Sequence, residues 1–342
     1  MKPILFAFSL PVIGEVTFPA YFTLLSLGFG MAMWITYRES KKIELDPDLI
    51  LDTNLWMIIW GVIGARVLHL IADGHFHEYV DLCVNPKNVK AIDALVARCT
   101  TDAQCGYDYL CDTARHVCYP PQDCLAAVKL WRGGLAYYGG FLFATAFAVY
   151  FLRKHKMPFG RVADIASPGI ALGLFFGRMG CYLNGCCYGK ETTGGSSWAV
   201  TFPRGSSAWR AQLETGHIKA AQAAIPVYPT QLYEAVSCLA IFAFLYYVWR
   251  PRKRHDGDIL AGFMLLYAIA RSVIEVFRDD DRGVFWGFIS TSQIVSIPLV
   301  LLAFGIFYWN RRGARLSMGT GTGTGTGTGA GTGTEAGAGS TG

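Results

Sequence analysis

Seven stretches of this chain run apolar for about twenty residues each, with polar connections between them. They cover roughly 16–37, 50–71, 133–152, 163–183, 231–249, 258–277 and 288–309. About twenty residues at a rise of 1.5 Å is what a helix needs to cross a hydrocarbon layer of roughly 30 Å. The pattern therefore predicts an all-α fold, a polytopic integral membrane bundle of seven transmembrane helices. The fourth stretch stands out because it carries a full charge, Arg178, near its end. Gly169, Gly173 and Gly177 recur every fourth residue along it, on one helix face where a neighbouring backbone can approach closely.

Composition supports the membrane reading. Apolar residues make up 52% of the 342 and charged residues only 16%, with a mean hydropathy of +0.32. A soluble domain carries about 25% charge. The net charge of +5 suggests nucleic acid only until the basic residues are placed. Four alternate connections are short and basic. They carry Arg38, Lys41 and Lys42; Arg153, Lys154, Lys156 and Arg161; Arg250, Arg252, Lys253 and Arg254; and Arg311, Arg312 and Arg315. These hold 14 of the 30 Lys and Arg in roughly 39 residues, against about 13 in roughly 126 for the opposite connections. Seven crossings with this bias predict an outer N-terminus and a cytoplasmic C-terminus. Residues 1–14 read as an interfacial arm, since Pro3 and Pro11 interrupt the apolar run and no small-x-small cleavage site follows.

Four regions follow from this layout. Residues 1–72 form the arm and helices 1–2. Residues 73–132 form an external Cys-rich insertion, with Cys83, Cys99, Cys105, Cys111, Cys118 and Cys124. An even cysteine set on the oxidising side reads as disulfides, and the spacing lacks the close pairs of a zinc site. Residues 133–318 form helices 3–7, with a small external cap at 190–230 containing Trp198, Phe202, Trp209 and Tyr228. The Gly/Thr-rich tail, 319–342, cannot bury a core and is expected to be disordered in the cytoplasm.

The candidate chemistry lies at the outer level. Tyr267, Arg271, Glu275 and Arg278 fall at i, i+4, i+8 and i+11, on one face of the sixth helix, where Arg271 and Glu275 can pair. Arg66 lies in the outer half of the second helix. Buried arginines are costly and demand an anion, and a lipid phosphate is the one available at that depth. Arg66 also admits a packing role, paired with Glu234 or Asp164. Gln231 and Glu234 enter the apolar layer one turn apart on the fifth helix. Cys181, Cys186, Cys187 and Cys238 read as inert small hydrophobes, with no neighbouring His or Asp to make a nucleophile. The His69, His75 and His77 group is a weak metal pattern, better read as a solvated loop. No metal site is expected.

These residues resemble one family. The segments Trp131–Gly140, Gly177–Gly189, Gln231–Glu234 and Arg271–Arg278 are similar to prolipoprotein diacylglyceryl transferase, as are Pro19-Ala20-Tyr21 with Gly28, and Gly64-Ala65-Arg66. The resemblance implies transfer of the diacylglyceryl group of phosphatidylglycerol to the lipobox cysteine thiol of a prolipoprotein, with release of glycerol phosphate. It implies no metal or diffusible cofactor, no nucleic acid, and a site at the outer leaflet of a bacterial inner membrane. Carried over by motif, Arg178 and Arg271 contact the phosphate and Glu275 holds Arg271. Asn184 and Gly189 close the signature loop. Tyr21, Tyr267, Gln231, Tyr233 and Glu234 line the site with Arg66 and Arg278. Where many members place His before the Gly-Gly of the third helix, this chain has Tyr138. Either Tyr138 substitutes as base or the base lies elsewhere. The Cys-rich segment and the tail depart from the family pattern. A transporter or flippase of an anionic lipid or metabolite is the competing class, disfavoured by the lack of an internal repeat and by charges gathered at one face. A non-catalytic scaffold leaves the buried arginines unexplained.

Overall fold

A computed structural model describes residues 4–10, 14–72, 76–89, 99–102, 110–129, 136–192, 198–219, 221–278, 284–285 and 289–319. Residues 133–135 of the third expected span, together with Trp131, Arg132, His75, Cys105 and the tail from 320, lie outside these residues. The described chain is mostly helical: α1 (Ala20–Lys42), α2 (Pro47–Ala72), α3 (Phe76–Val84), α4 (Tyr137–Lys154), α5 (Phe159–Asn184), α6 (Ser207–Glu214), α7 (Thr230–Ala243), α8 (Asp258–Glu275) and α9 (Thr291–Gly319). Three short antiparallel pairs accompany them: β1 (Ile4–Leu10) with β2 (Gly14–Pro19), β3 (Leu110–Asp112) with β4 (Val117–Tyr119), and β5 (Val284–Phe285) with β6 (Ile289–Ser290).

Each expected span overlaps a helix. Four helical stretches are long and apolar enough to cross a membrane: Ala20–Lys42, Pro47–Ile71, Phe159–Asn184 and Thr230–Arg252. The last of these continues α7 through a wide turn at Phe244–Trp249 and a tight one at Arg250–Arg252. α4 and α8 are 18 residues each, and α9 contributes an apolar stretch at Ser296–Asn310. Outward-facing Phe22, Trp34, Leu142, Val236, Leu301 and Trp309 are all more than half exposed. A water-soluble fold does not present so much apolar surface, whereas lipid covers it. The protein is a multi-pass membrane protein.

α5 is the helix around which the others pack, touching α1, α7 and α8. Its glycine face is the one predicted, and α1 lies in it. A Cβ on Gly169 would stand 3.2 Å from the Ala32 backbone, and one on Gly28 3.2 Å from the Gly173 carbonyl. α2 and α4 cross still more closely. A side chain at either Gly64 or Gly139 would overlap the backbone of the other. Small residues bring membrane helices into van der Waals contact where no hydrophobic force operates between them. Ala171, Ile241, Leu245 and Ile259 fill the wedge between α5, α7 and α8.

Two buried carboxylates tie the end of the bundle opposite Arg178. Asp164 on α5 accepts from the backbone N–H of Gly257, Ile259 and Leu260 at 2.9–3.0 Å, capping α8 from another helix, and from Lys253 Nζ at 3.1 Å. Glu39 on α1 accepts from Tyr246 Oη at 2.7 Å and pairs with Arg250 and Lys42. Asp164 takes up backbone donors that would otherwise be orphaned at the start of α8, while Glu39 is satisfied by side-chain donors.

Between α2 and α4 the cysteines form disulfides, as expected from their even number. Cys83 bonds Cys124, Cys99 bonds Cys111, and Cys118 is also disulfide-bonded. His69 stacks edge-on against Tyr79, and His77 against Phe76. Between α5 and α7, α6 packs into two small clusters, one on Phe202, Ala208 and Val227, the other on Trp209, Ile218 and Ala224. Gln212 reinforces the second by exchanging hydrogen bonds with the Ile225 backbone.

Candidate active site

The site forms where α5 ends. Gly185 adopts φ +76° and stops the helix, its N–H and that of Cys186 bonding back to Tyr182 and Cys181. Only a residue without a Cβ takes this conformation at no steric cost. The chain then runs back across the bundle, so that the last two turns of α5, with Arg178, face α7 and α8. Two α7 side chains pin this loop. Gln231 Nε2 donates to the Cys186 carbonyl at 2.7 Å, and Thr230 Oγ1 to the Cys187 carbonyl at 3.0 Å. Gly189 sits between Tyr228 and Phe277, donating its N–H to Tyr228 O at 2.9 Å. A Cβ there would overlap the Phe277 carbonyl. Gly189 pairs in the backbone with Arg278, which fixes the segment that follows α8.

Glu234 is the centre of the ionic cluster. It is 1% exposed. Its Oε1 lies 3.0 Å from Arg178 Nη2 and accepts from Tyr267 Oη at 3.1 Å; its Oε2 lies 3.9 Å from Arg278 Nη1. A buried carboxylate is tolerable only with such compensation. Arg271, one turn after Tyr267, pairs with Glu275 at 2.7 Å. The arginines differ in access. The Arg178 side chain is 19% exposed, against 8% for Arg271 and 2% for Arg278. A guanidinium carries five N–H donors, so Arg178 keeps an accessible fork while Glu234 holds one nitrogen. Gln231 is fully buried, and among the described residues its Oε1 has no donor.

Most of the expected site residues are brought together here. Tyr21 of α1 lies against Gly180, in electrostatic range of Arg178 and the α5-loop cysteines. Asn184 is exposed at the loop, its Nδ2 3.7 Å from Cys186 Sγ. Tyr233 turns to the edge of the cluster, donating to Trp198 O at 3.3 Å. Beside it an apolar groove of about 430 Å³ is lined by Trp198, Val200, Pro229, Leu232, Tyr233 and Val236.

Two expectations shift. Arg66, expected at the substrate or paired with Glu234 or Asp164, instead donates to the Ala126 and Ala127 carbonyls at 2.7 Å and lies over the Tyr79 ring. Its depth matched the other arginines, but its side chain serves the disulfide-bonded connection. In the third helix Tyr137 comes within electrostatic range of Arg178 and Glu234, although it is 68% exposed against 42% for Tyr138, which packs edge-on against it. Tyr137 and the cluster of Cys181, Cys186 and Cys187 were missed. Adjacent tyrosines on a helix point about 100° apart, and a run of residues does not reveal which of them lies nearer the ionic cluster.

An apolar bundle that buries arginines from two helices and a following loop around shared carboxylates defines a class: a multi-pass membrane protein with an ionised site at one end. Comparison with known proteins gives the family. The description "Prolipoprotein diacylglyceryl transferase" matches residues 7–96 and 104–309. A phosphatidylglycerol–prolipoprotein diacylglyceryl transferase 2 of Clostridium perfringens is 34% identical over 312 residues, covering 90% of this chain and 98% of its own. The corresponding enzyme of Psychrobacter arcticus is 28% identical over 315 residues, 86% of this chain and 91% of its own. That of Corynebacterium diphtheriae is 27% identical over 302 residues, 88% and 91%. The chain belongs to the prolipoprotein diacylglyceryl transferase family, and it is a transferase of lipoprotein biosynthesis.

Proposed function

We propose that this protein transfers the diacylglyceryl group of phosphatidylglycerol to the lipobox cysteine of prolipoproteins at the outer leaflet of a bacterial inner membrane. The bundle crosses seven times with its N-terminus outside, so the α5 loop, the 190–230 cap and the 73–132 segment share the outer side. The observation that carries the reading is Arg178: a partly accessible guanidinium held by a buried carboxylate, at the mouth of an apolar bundle.

The chemistry follows from that placement. The thiolate attacks the glyceryl carbon bearing the phosphodiester. A C–S bond forms, the C–O bond to phosphate breaks, and its electron pair leaves as glycerol phosphate carrying one more negative charge. Arg178 meets two phosphate oxygens through its planar fork, while Arg271 and Arg278 support it from deeper positions. A fixed cation in a low-dielectric site stabilises the charge that develops on the leaving group. Gln231 Oε1 accepts from a hydroxyl of the glycerol headgroup. Glu275 orients Arg271, and Asn184 and Gly189 hold the loop. The groove beside Tyr233 suits an acyl chain or the apolar part of the signal peptide.

The test is a transfer assay with purified protein in detergent, labelled phosphatidylglycerol and a lipobox peptide. The wild type turns over without a second compartment, which a transporter does not. Arg178→Gln lowers the rate by roughly 10²–10³-fold, the cost of removing one fixed donor from an oxyanion. A wild-type rate in Arg178→Gln refutes the assignment.

A further inference from the structure

Three cysteines follow Arg178, and the function derived so far uses none of them. Cys181 is buried in the last turn of α5; Cys186 and Cys187, half-buried, lie just past Gly185. Their Sγ atoms are all within 4.8 Å of one another, and none is in a disulfide. The arrangement has a local cause. The helix-ending turn at Gly185 bonds Cys186 N–H to Cys181 O at 3.1 Å, which folds the loop back over the end of the helix. Cys187 has φ +60°, unusual for a residue with a Cβ, and Thr230 clamps its carbonyl. A strained backbone position held by a neighbouring helix points to a function for the side chain it presents.

The three thiols are not equivalent. Hydrogen bonds from the Cys181 and Cys186 thiols, and then the guanidiniums of Arg178 and Arg278, push the Cys187 thiol down toward the thiolate against the opposing effect of burial. A partly accessible thiolate beside a second thiol is the make-up of a thiol–disulfide exchange centre. Backbone geometry selects the second thiol. Adjacent Cα atoms stand about 3.8 Å apart, short of the roughly 4.4–6.8 Å that a disulfide spans, so Cys186 is badly placed to bridge Cys187. Cys181 is in hydrogen-bond contact with Cys187 from the other side of the turn, and side-chain rotation can close that pair.

We propose that this cluster reduces prolipoprotein acceptors whose lipobox cysteine is blocked as a mixed disulfide, with Cys187 as the attacking sulfur and Cys181 as the resolving one. The identity of the acceptor rests on the transfer reading above; the exchange site does not. The Cys83–Cys124 and Cys99–Cys111 bonds fit an oxidising outer side, where a lipobox thiol is open to capture by small thiols. An acceptor blocked in this way has no nucleophile. Cys187 Sγ attacks the outer sulfur of the mixed disulfide. An S–S bond joins Cys187 to the small thiol, and the lipobox sulfur leaves with the electron pair as a thiolate, the form that attacks the glyceryl carbon. Cys181 then attacks Cys187 Sγ, the small thiol departs with the Cys181 proton, and a Cys181–Cys187 disulfide remains. Two electrons have passed from the cluster to the acceptor, and a dithiol reductant of the outer side restores the cluster for another round. An acceptor that arrives as a free thiol bypasses these steps.

The test uses full-length protein in detergent, reduced and then freed of reductant, with labelled phosphatidylglycerol and a lipobox peptide whose Cys carries glutathione in a mixed disulfide. The wild type is expected to release one equivalent of glutathione, lipidate one equivalent of peptide and finish with a Cys181–Cys187 disulfide, mapped by mass spectrometry. Cys187→Ser loses lipidation of the blocked peptide yet lipidates the free-thiol peptide at the wild-type rate, which reports that it is folded. Cys181→Ser retains glutathione on Cys187, and Cys238→Ser behaves as wild type. A blocked peptide left untouched by the wild type, or processed equally by Cys187→Ser, overturns the proposal, as does a final disulfide that omits Cys187. Glutathione release without lipidation of either peptide rejects the transferase reading and keeps the exchange site.

Discussion

Glu234 shows what a single carboxylate does in an apolar bundle. It faces Arg178 from α5, Arg278 from beyond α8 and Tyr267 from α8 itself. Removing its charge leaves buried cations without their anion, which costs about 3–5 kcal/mol. Glu234→Gln is therefore expected to lower the melting temperature in detergent strongly, while Tyr267→Phe, which loses one hydrogen bond, costs about 1–2 kcal/mol. Equal melting curves for Glu234→Gln and wild type would show that the cluster is not a structural hub. The residues of this cluster were legible in the sequence, because charges inside apolar runs are conspicuous. Their partners were not. Arg178 and Glu234 are 56 positions apart, and nothing in a hydropathy pattern says which carboxylate meets which guanidinium. Arg66 shows the limit from the other side: the right depth, but a side chain aimed at Ala126 and Ala127.

At the scale of elements, close approach decides the packing. Gly64 and Gly139 are where α2 and α4 touch backbone to backbone, and Gly189 is where the α5 loop passes Phe277. Gly139→Leu is expected to force those helices apart and abolish accumulation of folded protein, read as loss of the monodisperse peak in size-exclusion chromatography. Gly189→Ala is the milder probe. It displaces the backbone that carries Arg278, so transfer activity falls further than the melting temperature; the reverse order would place Gly189 in packing alone. Asp164→Asn retains one acceptor for the α8 N–H groups but loses the charge that Lys253 faces. It is expected to cost about 0.5–2 kcal/mol, the range for a helix cap. The glycine face of α5 was legible from its four-residue spacing. The capping of α8 by a residue on α5 was not, since local spacing describes contacts within one helix only.

At the scale of the whole molecule, the chain places a buried ionic cluster at one end of a lipid-facing bundle, with disulfide-bonded and cap segments in the connections. The helices and the even cysteine set were legible because length, hydropathy and parity are properties of the chain itself. The three-thiol cluster was not, because it depends on how the chain turns after Gly185. All of these features serve one claim, that the accessible fork of Arg178 grips the phosphate of the donor lipid. The most direct measurement is a structure of the protein in a phosphatidylglycerol bilayer. The account expects a phosphate with oxygens at about 2.7–2.9 Å from the Arg178 guanidinium, inside the span of α5, α7 and α8. A headgroup bound elsewhere, with Arg178 closed on Glu234 alone, would contradict it.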